Sequence, residues 1–143
     1  MSREENKAII CRINEEFINK GNAAILDELY SPELLRKRRG LEWIVSIYEG
    51  QRGFENLYEA FPDYHSQIEE QTGEGDFVVT RCTITGTHTG DFFGIAPTGK
   101  RISMNQVVYY RLHAGKVIEI WGINDELGLL HQLDLVDRIS FPH

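Results

Sequence analysis

Few side chains in this sequence combine acid–base or hydrogen-bonding capacity with an apolar setting. His88 ends the run "FVVTRCTITGTH" and shares a strand face with Val78, Thr80, Cys82, Ile84 and Gly86. An imidazole there can act as acid, base or hydrogen-bond donor. It can equally bond its ring nitrogens to nearby backbone and fasten the loop that follows. Asp125 follows "VIEIWGIN" at a strand-to-helix junction. An apolar surround would raise its pKa and suit it to proton abstraction, whereas the "ELG" after it suits it to capping a helix. Asn105 and Gln106 are adjacent amides within a strand-like run. Alternation sends one of them inward, where an amide can orient a carbonyl. Trp121 on the last strand is either an aromatic wall for a flat ligand or part of the core. Phe92 and Phe93 stand in the glycine-rich loop "TGDFFGIAPTGK", placed to lid a pocket or to pack on a second subunit.

Several chemistries are excluded by missing motifs. The chain has no phosphate-binding or dinucleotide glycine fingerprint, no HExxH and no histidine pair at metal-ligand spacing, so no metal site is expected. It has no GxSxG nucleophile elbow either. His65, His113 and His131 lie in polar contexts and are expected in solvent. Cys11 and Cys82 match no redox or metal spacing and read as two buried thiols in a reducing compartment.

The elements that must position these residues follow from a change of period. Ser2 and Glu5 form a capping box ahead of Ile9, Ile13 and Phe17, a stripe at helical spacing. Gly21 ends that helix, and Asn22 is placed to cap a short second one through Leu26 and Leu29. Ser31-Pro32 opens a third, and residues 41–61 again carry helical spacing, broken near Gly50 and Gly53. Beyond Pro62 the period falls to two. Strands are predicted at 64–72, 77–88, 101–112 and 117–124, with turns at 73–76 and 113–116, and a closing helix follows Asp125. Helices followed by an antiparallel meander predict an α+β fold, its helices on one face of a curved sheet that leaves a cavity for a ligand.

The 143 residues form one expected domain, 1–143, without repeats or linkers. The net charge of −7 disfavours nucleic acid, and the basic run Arg36–Arg39 is short enough to be a solvated helix end. No apolar run is long enough to span a membrane and no secretory leader is evident, so a cytoplasmic protein is expected. Val107 and Tyr109 on one face, with Val108 and Tyr110 on the other, give strand 101–112 two apolar faces. A homodimer through the outer face of the sheet is therefore expected.

Two stretches, "GTHTGDFFGIAPTGKRI" and "VIEIWGINDELGLLHQL", make the chain resemble the SnoaL-like polyketide cyclase (ester cyclase) family, within the superfamily of nuclear transport factor 2 and ketosteroid isomerase. The resemblance runs over about residues 5–135. It implies a cone-shaped α+β barrel and a small hydrophobic ligand. It also implies cofactor-free chemistry, with a buried aspartate taking a proton beside a carbonyl in a cyclase, isomerase or lyase. The position matching the tail motif is Asp125, and His88 matches the strand-end motif. Where such proteins carry an Asp-His or Asn-His at the cavity mouth, this chain reads "SPELLRKRRG", which leaves room for an anionic ligand. A non-catalytic binding module of the same fold is the alternative function.

Overall fold

The computed structural model describes residues 2–39, 57–92 and 94–135. Phe93, the side chains of Arg36–Arg39 and most of the helical stretch expected at 41–61 lie outside the described residues. Helix α1 spans Arg3–Arg12 and starts as its capping box requires: Ser2 Oγ accepts the Glu5 N–H at 3.1 Å. It runs on into a π-helical turn, Ile13–Ile18. That turn was not legible in the sequence, and it moves the entry into α2 (Ala24–Leu29). Asn22 therefore does not cap α2; its N–H donates instead to Glu16 O, and Ala23 holds the cap position without a side-chain bond. Helix α3, Pro32–Arg39, begins at its proline with Ser31 Oγ accepting the Leu34 N–H.

The strands form one antiparallel meander in the order β1 (His65–Glu74), β2 (Phe77–Thr87), β3 (Arg101–His113) and β4 (Lys116–Asn124). Helix α4, Glu126–Gln132, follows. The β3–β4 turn places Ala114 and Gly115 at positive φ, the conformation that favours a tight hairpin. Burial alternates along β2 with the predicted period of two: Val78, Thr80, Cys82, Ile84 and Gly86 face inward, toward the helices. In β3 the inward residues are Ile102, Met104, Gln106, Val108, Tyr110 and Leu112.

Two apolar clusters fill the two ends of this inner face. One gathers Phe61, Cys82, Ile84, Phe92, Ile102, Met104, Leu129 and Leu133. The other gathers Ile10, Ile13, Ile25, Leu29, Leu34, Val78, Leu112 and Val117. Two backbone positions left unpaired in the meander, Ser66 on the edge strand β1 and Ser103 on β3, are each held by a side-chain amide. Asn19 accepts the Ser66 N–H (2.7 Å) and donates to Ser66 O (2.9 Å) on β1, where Asn14 also donates. Gln132 repeats the arrangement on Ser103 of β3, beyond the end of β4, with both bonds at 2.8 Å. Each carboxamide thus takes the place of a neighbouring strand.

Two further expectations are corrected. Cys11 is exposed, its thiol donating to Gln71 Oε1 on β1, and only Cys82 is buried. His131 is half-buried with Nε2 shut away from solvent, because α4 packs against β3. His65 and His113 are exposed as expected.

Candidate functional site

Between the two clusters the inner face carries a polar band. Its rows are set by register: Ile68–Cys82–Gln106–Asn124, then Gln71–Thr80–Val108–Gly122. Val108 is buried yet belongs to neither cluster. Gln106 and Asn124 are half-buried cross-strand partners, and Gln106 Nε2–H donates to Asn124 Oδ1 at 2.9 Å. Gln106 is thus the inward amide of its pair, while Asn105 points outward and is exposed. Packed against the cluster around Phe61, the Tyr58 hydroxyl donates to Ile18 O at 2.5 Å, one of the carbonyls in the π-helical turn. Burial pushes the Tyr58 hydroxyl up to a pKa of about 12, so it stays a donor at neutral pH.

His88 sits at one end of this face and is fully buried, at 0% exposure. Its Nδ1 accepts the Thr98 N–H at 3.2 Å and lies 3.0 Å from Thr98 Oγ1. The ring proton therefore belongs on Nε2, which is buried near Phe61 and Phe92 with no hydrogen-bond partner among the described residues. The backbone of His88 closes the same loop: its N–H donates to Lys100 O and its C=O accepts the Gly99 N–H, both at 2.8 Å. Gly99 has φ +72°, which a side chain would strain. Gly90 is required for a different reason, since a Cβ there would lie 1.9 Å from Glu59 O. Asp63 fixes the strand end by accepting the Thr87 N–H (2.6 Å) and hydroxyl (2.8 Å). Those bonds, aided by Arg101, hold its carboxyl below the usual aspartate range. Phe92 is buried in the cluster against Phe61, at 5.6 Å between ring centroids.

The remaining candidates lie elsewhere. Asp125 is exposed and caps α4, its Oδ1 accepting the Gly128 N–H at 3.0 Å. Its own N–H donates to Asn105 O, whereas His88 is bonded to Lys100. Five residue steps, from Lys100 to Asn105, separate those points, roughly 17 Å of extended chain. The structure brings His88 together with Phe92, and Asn105 with Asp125, but not His88 with Asp125. Trp121 is 66% exposed on the outer face beside Ile123 (75%) and Val107. On the same face Arg111 lies over Phe77 and Tyr109 and is bonded to Asp76 and Glu119.

Sequence reasoning missed Asn124, Thr98 and Tyr58. Asn124 had a signal, a polar residue closing an apolar strand, but its partner was fixed only by the β3–β4 register. Thr98 and Tyr58 act through contacts set by loop and helix placement. Among the described residues, no group of three or more His, Cys, Asp or Glu is arranged to hold a metal ion, and no helix is long and apolar enough to cross a membrane.

An antiparallel four-strand meander with helices on one face defines an α+β fold. The chain belongs to the SnoaL-like polyketide cyclase family, whose model matches residues 8–133. It is similar in structure to AclR, a candidate hydroxylase of Streptomyces galilaeus: 27% identity, 97% of this chain and 91% of that one, TM-score 0.78. It is also similar to IdmH, a candidate polyketide cyclase of Streptomyces antibioticus: 26% identity, 90% and 97% coverage, TM-score 0.70. A candidate polyketide cyclase of Acidithiobacillus ferrooxidans is a third, at 26% identity, 94% and 98% coverage and TM-score 0.74. No curated protein matches in sequence.

Proposed function

We propose that the chain is a single cone-shaped domain, residues 1–143, that binds a small hydrophobic molecule on the inner face of its sheet. One observation carries this reading: Thr80, Gln106 and Asn124 set polar groups on the inner face between Val78, Leu112 and Val117 at one end and Ile84, Ile102 and Met104 at the other. A face packed at both ends and polar in the middle fits an apolar-walled cavity with a few orienting groups. Loop 89–100, fastened by His88 and Thr98, closes one end of it. Val107, Trp121 and Ile123 on the outer face are proposed to meet a second copy of the chain.

A second reading is enzymatic: a cofactor-free cyclase, isomerase or lyase acting beside a carbonyl. Family membership and the unpartnered His88 Nε2–H favour it, since a buried donor left unbonded costs about 1–3 kcal/mol and a ligand carbonyl would satisfy it. In this reading His88 polarises the carbonyl; Asp125, held at the α4 cap roughly 17 Å of strand away, does not reach the adjacent C–H, so the proton goes to another group.

The test is a pair of ring probes of one shape. Binding of indane and 1-indanone is followed by amide chemical shifts of the ¹⁵N-labelled protein. The cavity reading expects both to move residues of the inner face, Thr80 and Val108 among them. Absence of binding by both at millimolar concentration defeats it. Native mass spectrometry of the freshly purified protein would then identify any ligand carried through purification.

A further inference from the structure

The Gln106–Asn124 pair holds more hydrogen-bonding capacity than it uses. Two carboxamides offer two carbonyl oxygens and two NH₂ groups. Their one mutual bond engages Gln106 Nε2 and Asn124 Oδ1. Gln106 Oε1 and Asn124 Nδ2 carry no protein hydrogen bond among the described residues. Turning both amides over leaves the same outcome, one free acceptor beside one free donor. Both residues are half-buried, so the free groups stand where burial by a ligand would leave them unbonded unless the ligand supplies partners. The rows around them are Ile68, Cys82, Gln71, Thr80, Val108 and Gly122, and none carries a charge. A carboxylate or ammonium placed there would lose its hydration with no described counter-ion in those rows.

We propose that Gln106 and Asn124 together form a neutral donor–acceptor fork that selects ligands presenting an N–H or O–H beside a carbonyl, as the edge of a lactam does. The ligand carbonyl accepts from Asn124 Nδ2 and its N–H donates to Gln106 Oε1. This inference rests on the cavity reading above and adds the chemical class of the group that the cavity orients.

The test extends the same probes. Isoindolin-1-one presents both groups, 1-indanone only the carbonyl, and indane neither, on nearly one bicyclic shape. Affinities come from side-chain NH₂ shifts of Gln106 and Asn124, which report the contact directly. The expected result is isoindolin-1-one binding about tenfold more tightly than 1-indanone, with both NH₂ pairs moving. Gln106→Leu and Asn124→Leu should each reduce that preference to about twofold or less while leaving indane binding in place, which also shows that the variants are folded. Equal binding of isoindolin-1-one and 1-indanone to the wild type overturns the fork and leaves the cavity standing. Lactam-selective binding that survives both substitutions overturns it as well. No binding by any of the three overturns the cavity and the fork together.

Discussion

Replacing Asp125 separates its two readings. In the structure its carboxylate is seated on the first turn of α4, where Oδ1 accepts the Gly128 N–H at 3.0 Å. The seat is close: a Cβ on Gly128 would lie 2.3 Å from Asp125 Oδ2. The turn it caps carries Leu129, and further along lies Leu133, both buried in the cluster around Phe61. Removing the cap in Asp125→Ala leaves one helix donor unbonded, worth about 1 kcal/mol. For 143 residues, at about 2.1 cal/mol/K per residue, the unfolding entropy is roughly 300 cal/mol/K, so the alanine variant should melt about 3 °C lower. Asparagine keeps the acceptor oxygen and loses only the charge at the helix N-terminus, a few tenths of a kcal/mol in an exposed position, so Asp125→Asn should lose about 1 °C or less. Thermal denaturation followed by circular dichroism at neutral pH reads both. If asparagine costs as much as alanine, the carboxylate is not acting through the Gly128 N–H and the capping argument fails. Any turnover discovered adds a second readout. A capping residue leaves the rate of the asparagine variant intact, whereas a general base loses about 10²–10⁴-fold.

Three further outcomes follow from other parts of the molecule. Gly90→Ala drives a methyl group into Glu59 O and should cost about 2–3 kcal/mol, read as a lower urea midpoint; an unchanged midpoint would show that the loop does not approach residues 59–60 this closely. Asp63 has a depressed carboxyl pKa, so its contribution is fully present above about pH 4 and is lost as pH falls through the folded-state value. The urea midpoints of wild type and Asp63→Asn should accordingly differ at pH 7 and converge as pH falls below the usual aspartate range, and a constant gap would rule out the carboxylate as its source. On the outer face, Trp121→Glu with Ile123→Lys should convert a dimer to a monomer by light scattering at micromolar concentration; a wild-type monomer would refute the proposed interface.

Features governed by neighbours in sequence were legible. Ser2 and Ser31 cap helices because a cap is a contact over three residues, and β2 could be divided into faces because side chains on a strand alternate. The adjacent amides were legible only as an alternative: alternation requires one inward, and the pairing of Gln106 with Asn124 decides which. What escaped was set by distant partners. The π-helical turn at Ile13–Ile18 has no side-chain signature, and it displaced the cap expected at Asn22. The acceptor role of His88 depends on Thr98, ten residues away across a loop. The outward position of Trp121 follows from its pairing with Tyr109, which composition alone does not reveal.

The amides that hold Ser66 and Ser103 differ in chemical durability. Asn19 precedes Lys20, and asparagine side chains hydrolyse spontaneously to aspartate far faster than glutamine side chains do. The product at position 19 would keep an acceptor for the Ser66 N–H but turn a carboxylate oxygen toward Ser66 O, where an N–H now donates at 2.9 Å. Asn14 would then hold that carbonyl alone. Gln132 on β3 would keep both its bonds over the same period, so the contact at Ser66 is the one that ageing would weaken first.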